Sequence, residues 1–301
     1  MQEIFPMSRE MKQKKGPAMD LKFGKRILVI PDAHGRSTES FSDLDRFDAA
    51  GKLIRDEKPD IVVSLGDLAD FDPLSPYKMK AAAAFDGKAV RKEALFRTEI
   101  LNRIAGPTRH ANERHRRGRH KERIHEPVWI DLEGNHEERW RRYPETDLLG
   151  HDFLQCESEE AGWIWHPFLK PVDILGVLFS HYFTTGVSRR PAQVNTILNK
   201  THRSCVFGHT HSFGFDQKPV LGGGTISALC AGSFKPPHRT GEHEWSGLVM
   251  LEDVKDGSFC IRQIPYDHVL EKYGEGDYAQ KLRTRRAQAA QDRENARHAY
   301  A

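Results

Sequence analysis

Five short clusters of this 301-residue chain combine carboxylate, imidazole and amide side chains. In order they are Asp32-x-His34, Gly66-Asp67-x-x-Asp70, Gly134-Asn135-His136-Glu137, His181 and Gly208-His209-x-His211. Imidazole nitrogen, carboxylate oxygen and one amide oxygen are borderline-to-hard donors that suit Mn, Fe, Zn or Co ions. Glycines flank three of the clusters, where they allow sharp turns and close backbone approach. Any one cluster alone could be a set of capping or core polar groups. Five in succession, each at the end of an expected strand, point to a metal site. The chain's 16 histidines are a high number for its length, and five of them lie in these clusters.

The elements that must hold those side chains are short apolar runs. Arg26–Ile30, Ile61–Leu65, Val128–Leu132, Val177–Ser180 and Ser204–Phe207 each run into, or up to, one cluster. Such runs, rich in β-branched and aromatic residues and bounded by Gly or Pro, read as strands buried on both faces. Further strands are expected at Thr225–Ala231, Gly247–Leu251 and Phe259–Ile264. Helical stripes lie between them. Leu44, Phe47, Leu53 and Ile54 form one, and Pro191, Val194, Ile197 and Leu198 another, with the proline in a first turn. Strand–loop–helix alternation predicts an α/β architecture with ligands bound at the carboxyl ends of its strands.

Three segments fall outside that alternation. Residues 1–24 form a polar, lysine-containing tail. Residues 71–126 read as a basic helical insertion, with helices over Lys78–Ala84 and Lys92–Ile104. Residues 271–301 read as a polar helical or disordered tail, unable to bury a core face. This leaves one large domain over 25–270. No stretch approaches the roughly 20 apolar residues of a membrane span, so no membrane partner is expected. The first residues lack the apolar core of a secretory signal. Cys156, Cys205, Cys230 and Cys260 offer no CxxC pair, read as small buried apolar residues, and suit a reducing cytoplasm, of a host cell if the chain is viral. A net charge of +3 argues for no partner.

The ordered set DxH, GDxxD, GNH[D/E], H and GHxH resembles that of the calcineurin-like metallophosphoesterase superfamily, over roughly residues 26–265. The resemblance implies a four-layer αββα sandwich, two mixed β-sheets flanked by helices. It implies two divalent metal ions, Mn first among Mn, Fe, Zn, Ni and Co. Asp32, His34 and His211 would hold one, Asn135, His181 and His209 the other, and Asp67 would bridge them. His136 would be the general acid, with Asp70 orienting its ring. Two cations sharing a carboxylate and a hydroxide lower the pKa of bound water and neutralise charge at phosphorus. A positioned imidazolium then assists the leaving alkoxide by about 10²–10⁴ in rate.

Departures from the family narrow the substrate. Protein Ser/Thr phosphatases read GDxxDRG and RGNHE, whereas this chain has Phe71 and Glu133 at the two arginine positions. A phosphodiesterase or nuclease is therefore expected before a phosphoprotein phosphatase. The segment from Arg103 to His125 carries eight Arg or Lys against Glu113 and Glu122, a net +6, with four interspersed histidines. Lying between two motifs, it is expected at the rim of the site, where Arg116 and Arg117 would grip a nucleic-acid backbone. Arg139 and Arg142 would add phosphate contacts, and Trp140 and Tyr143 would either stack on bases or fill the core. The alternatives are a small-molecule phosphomonoesterase or nucleotide hydrolase and, in another class, a non-catalytic nucleic-acid-binding protein. Protein partners are unknown from sequence.

Overall fold

A computed structural model describes residues 24–75, 87–118, 124–142, 150, 152–185, 190–221 and 223–299. In chain order the elements begin with β1 (Lys25–Ile30), α1 (Phe41–Glu57), β2 (Ile61–Ser64), α2 (Gly87–Arg117), β3 (Val128–Leu132) and α3 (Arg139–Arg142). There follow α4 (Phe153–Glu160), β4 (Ile164–His166), β5 (Val172–Ile174), β6 (Val177–Phe179), and the short pair β7 (Thr184–Thr185) and β8 (Arg190–Pro191). The chain continues through α5 (Val194–Thr201), β9 (Ser204–Phe207), β10 (Phe213–Pro219) and β11 (Thr225–Ala231). It closes with β12 (Gly247–Lys255), β13 (Ser258–Pro265), α6 (Tyr266–Tyr273) and α7 (Asp277–Ala299).

Two mixed sheets result, ordered β13-β12-β1-β2-β3-β4 and β10-β11-β9-β6-β5. β1, β2, β3 and β4 run parallel, as do β6, β9 and β11. The period-two rule assigns their side chains to layers. Ile27 and Val29 of β1 join Val63, Phe179, Val206 and Leu229 in the core between the sheets. Leu28 and Ile30 face the other way, onto α1, α2 and α6. On the outer face of the second sheet, Ile197 of α5 covers Cys205, Phe207 and Cys230. Helix, sheet, sheet, helix is the expected four-layer order.

The boundaries of β3, β9 and β11 match the expected runs, whereas β4, β5 and β10 are too short or too polar to have been visible. Pro191 lies in β8 rather than in the first turn of a helix. Helix α2 corrects the largest expectation. Ile100, Leu101 and Ile104 are buried against α1 and the sheet, and Val90 and Ala94 against Phe71, Trp140 and Trp165, so this helix is part of the core rather than an insertion upon it. The expected helix at Lys78–Ala84 lies outside the described residues. Helix α7 is polar and solvated as expected beyond Leu282, but Ala279 is buried and Tyr278 and Leu282 pack on the core, so its first turns do dock. Cys205 and Cys230 are buried within strands, while Cys156 and Cys260 are exposed.

Candidate metal centre

The loops after β1, β2, β3, β6 and β9 meet at the carboxyl edge of both sheets. Backbone hydrogen bonds tie them together: His34 N to Asp67 O at 2.9 Å, and Gly208 N to His181 O at 2.9 Å. Side chains then join loop to loop. Asp67 Oδ1 accepts from His136 N at 2.8 Å, and Asp32 Oδ2 accepts from His209 N at 2.8 Å, crossing from one sheet to the other. Such packing leaves no room for a Cβ at two positions. At Gly134 it would lie 2.1 Å from Asp67 N, and at Gly208 2.1 Å from Asp32 Oδ1. The turns are tight enough to put His34, Asp67, His209 and His211 in the left-handed region, at φ of 48°, 48°, 72° and 58°. Non-glycine residues are uncommon there, and functional sites are where such conformations gather.

Asp67 Oδ2 is the centre of the arrangement. It lies 3.8 Å from His34 Nε2, 3.7 Å from His136 Nε2 and 3.5 Å from His181 Nε2. Among the described residues three groups have their ligand atoms within 4.8 Å of one another: Asp32 with His34 and His211, His34 with Asp67 and His136, and Asp67 with His181 and His209. Asn135 Oδ1 lies 2.8 Å from His181 Nε2. The opposite ring nitrogens fix how the imidazoles face. His34 Nδ1 meets Asp70 Oδ1 at 3.0 Å, His181 Nδ1 meets Leu65 O at 2.9 Å, and His211 Nδ1 meets Glu244 Oε1 at 2.9 Å. Each anchor sets the Nε2 atom toward the centre, the outer arrangement of metal-ligating histidines in general.

These donors fit cations. His34 Nε2 and His211 Nε2 stand 2.9 Å apart, and His181 Nε2 stands 3.3 Å from His209 Nδ1. With the Nδ1 atoms of His34 and His211 against carboxylates, their facing Nε2 atoms suit a shared positive charge, and the buried Asp32 Oδ1 has no hydrogen-bond partner. Without metal, protons supply that charge. Burial opposes protonation of His181, but Asp67 and Asp32 outweigh it and push its pKa up to about 10. His211 is raised by Asp32 and Glu244 against burial, and His136 by Asp67 and Asp70 against burial. Burial wins at His34 and His209, which are lowered. Burial would raise Asp67, yet His181 and His136 hold it well below the carboxylate range.

Several further residues support the centre. Glu137, fully buried, accepts from Asp67 N and Leu68 N at 2.9 Å and from Gly134 N at 3.1 Å, so one carboxylate shapes two loops. Burial and Asp67 push its carboxyl up to about 7, with Arg97 opposing them. The segment between β11 and β12 brings three more charges. Lys235 Nζ lies 2.6 Å from Glu244 Oε2 and 3.1 Å from His211 Nδ1, while Arg239 reaches Asp70 Oδ2 at 3.1 Å and also pairs with Glu39. Arg36 binds the same Asp70 oxygen. Glu137 was visible as the last letter of GNHE; Glu244, Lys235 and Arg239 follow the last motif and had no signal.

The expected substrate residues separate. Arg139 stands at the site, its Nη1 3.2 Å from His136 Nδ1. Arg142 pairs with Glu138 at the exposed edge. Arg116 and Arg117 are not brought to the site. Along α2, Arg97 reaches Glu137, but Arg116 lies 19 residues later, roughly 28 Å along the helix. There it pairs with Glu126, next to the amino end of β3. The expectation failed because α2 crosses the whole sheet, so an element that starts near the site ends at the opposite edge. Trp140 is core, stacked on Phe153 at 5.6 Å, and Tyr143 lies outside the described residues. Asp70 meets the His136 ring, and that of His34 as well. Its carboxylate lies 3.0 Å from His34 Nδ1 and 3.2 Å from His136 Nδ1, while its backbone oxygen takes the closer 2.6 Å contact with His136.

Residues 25–186 match the family model described as calcineurin-like phosphoesterase. A phosphoesterase from E. coli is 16% identical, with 80% of this chain and 99% of that one covered and a TM-score of 0.35. A predicted phosphoesterase from Streptococcus pneumoniae TIGR4 is 14% identical (81% and 91% covered, TM-score 0.35). A dimetal phosphatase from Danio rerio is 11% identical (81% and 97% covered, TM-score 0.34). No curated protein matches the sequence. Among the described residues no helix is long and apolar enough to cross a membrane. With more than half its length in the family model, the chain belongs to the calcineurin-like phosphoesterases, hydrolases of phosphoester bonds that depend on two metal ions.

Proposed function

We propose that this protein is a manganese-dependent phosphodiesterase whose proton donor is His136. The observation that carries the reading is the position of Asp67 Oδ2, within 3.8 Å of three imidazole nitrogens and between two ligand groups. Asp32, His34 and His211 would hold one cation, Asn135, His181 and His209 the other, with Asp67 shared. Bound there, two divalent cations would supply Lewis-acid charge at phosphorus and a nucleophile from water at neutral pH.

The chain's own groups do the rest. His136 Nδ1 is held by the backbone oxygen and carboxylate of Asp70, which leaves Nε2 facing the centre to protonate the leaving oxygen. The contact of Nδ1 with the Asp70 carboxylate favours the imidazolium form that the transfer needs. Arg139, at the Nδ1 edge of that ring, would have to reach past it to hold a phosphate oxygen. Support for a diester comes from the two positions where a cation is missing. Phe71 is buried in the core, and Glu133 is occupied by Arg141 at 3.1 Å. A singly charged diester needs less countercharge than a doubly charged monoester. The monoester reading draws on Arg36, whose half-exposed guanidinium lies on Asp70 and could supply that charge. The unpaired cysteines support a reducing cytoplasm as the place of action.

The test is hydrolysis of bis-p-nitrophenyl phosphate against p-nitrophenyl phosphate, with Mn²⁺ and with EDTA. The diester should be preferred, Mn²⁺ should stimulate and EDTA should abolish turnover. His136→Gln should keep its metal by elemental analysis and lose about 10²–10⁴ in kcat. Full activity in that variant sinks the assignment, and a monoester preference moves the reading to Arg36.

A further inference from the structure

We propose that Tyr182 and Phe168 form a stacking wall for a nucleobase, so that the diester taken at this centre carries a nucleoside. The inference rests on the phosphodiesterase reading and names its substrate class. Tyr182 follows His181 directly, and its ring lies 4.6 Å from that of His209, tilted by 41°. Phe168 stands 5.4 Å from Tyr182, nearly perpendicular, and 6.1 Å from His181. The main chain is held at both residues. Phe168 N donates to Glu133 Oε2 at 2.8 Å, and Tyr182 O accepts from Ser180 Oγ at 2.9 Å.

What separates this pair from the other aromatics near the site is exposure. Trp140, Phe71 and Trp165 are closed into a core cluster. Tyr182 and Phe168 are only half-buried, beside the ligand group of Asp67, His181 and His209. A π-face next to a phosphate-binding centre suits a planar group attached to the phosphate, and base–aromatic stacking accepts any base. On the opposite side of the centre stand Asp70, Arg36 and Arg239, all charged, so the site has one apolar flank and one ionic flank. A nucleoside phosphodiester has the matching division.

The experiment compares thymidine 5′-(p-nitrophenyl phosphate) with methyl p-nitrophenyl phosphate on the Mn²⁺-loaded protein, reading the ratio of the two kcat/KM values. Tyr182→Ala should lower that ratio by about 5–150-fold, the equivalent of ~1–3 kcal/mol for one stacked base, chiefly through KM. Tyr182→Phe should keep the wild-type ratio, because the π-face remains. Equal losses on both substrates, or loss of metal by elemental analysis, would mean that the ring only wedges His209, and the proposal falls. Calorimetric binding of thymidine 5′-monophosphate against inorganic phosphate separates the two readings. If neither ester is cleaved but the nucleotide binds more tightly and Tyr182→Ala removes the difference, the phosphodiesterase reading fails and the wall stands. If wild type binds both ligands equally, the wall is overturned.

Discussion

The two ends of helix α2 present the same residue types in different physical states. At the end near the metal centre, Arg97 is fully buried with Asp131, Ser158 and Glu137 around it. At the other end Arg116 and Glu126 form an exposed pair with side chains more than half accessible. An exposed pair of this kind contributes between nothing and about 1 kcal/mol. The buried one shapes loops, since Arg97 steadies the carboxylate that gathers the backbone of residues 67, 68 and 134. Density of charge along the sequence was therefore a poor guide to function. Convergence and burial distinguish a site from a solvated face.

The sharpest way to break that contrast is at Glu137. Glu137→Gln replaces a four-lone-pair acceptor with a group that points two donors at backbone N–H groups. Unfolding free energy should fall by about 2–4 kcal/mol, read by chemical denaturation, and metal should be lost with it. A change below ~0.5 kcal/mol would mean that the loops hold their shape without it.

A smaller effect should appear with pH. In the metal-free protein His181 is raised from 6.5 to about 10, so its stabilisation is complete below the unfolded value and is lost as pH rises through about 10. Melting temperature in EDTA should therefore fall between pH 7 and pH 10 more steeply than that of the metal-loaded protein, where a cation stands in for the proton. Parallel curves would contradict the proton-for-metal exchange. The smallest effect belongs to the far end. Arg116→Ala with Arg117→Ala should leave kcat/KM within about twofold and stability within ~0.5 kcal/mol. A tenfold drop confined to oligonucleotide substrates would return the basic end to substrate binding.

How much of this was legible depends on the range of the contacts involved. β1, β2, β3, β6 and β9 each run into their cluster, so strand and loop chemistry were written side by side in the sequence. The site's interior needed only that order. Glu244 reaches His211 across 33 residues and Arg239 reaches Asp70 across 169, through turns whose closure no local pattern records. Helix α2 was misread for a related reason. Its basic stretch masked apolar positions at Val90, Ala94, Ile100, Leu101 and Ile104 that only their partners, α1 for the last three and the Phe71–Trp140 cluster for the first two, explain. Of the aromatics, Trp140 took the core alternative, and Tyr182, half-buried beside His181, carried no local signal.

The left-handed backbone at His34, Asp67, His209 and His211 has a consequence for how such a centre is found. Each of these residues accepts a conformation costing roughly 1–2 kcal/mol for an L-residue. Glycine would relieve the cost but delete the donor, so chemistry and conformation compete at all four positions. A survey blind to side chains, given dihedral angles alone, would mark eleven non-glycine residues with positive φ among those described, and four of them would outline this centre. The main chain thus carries its own record of the site, legible even where no motif letter is known.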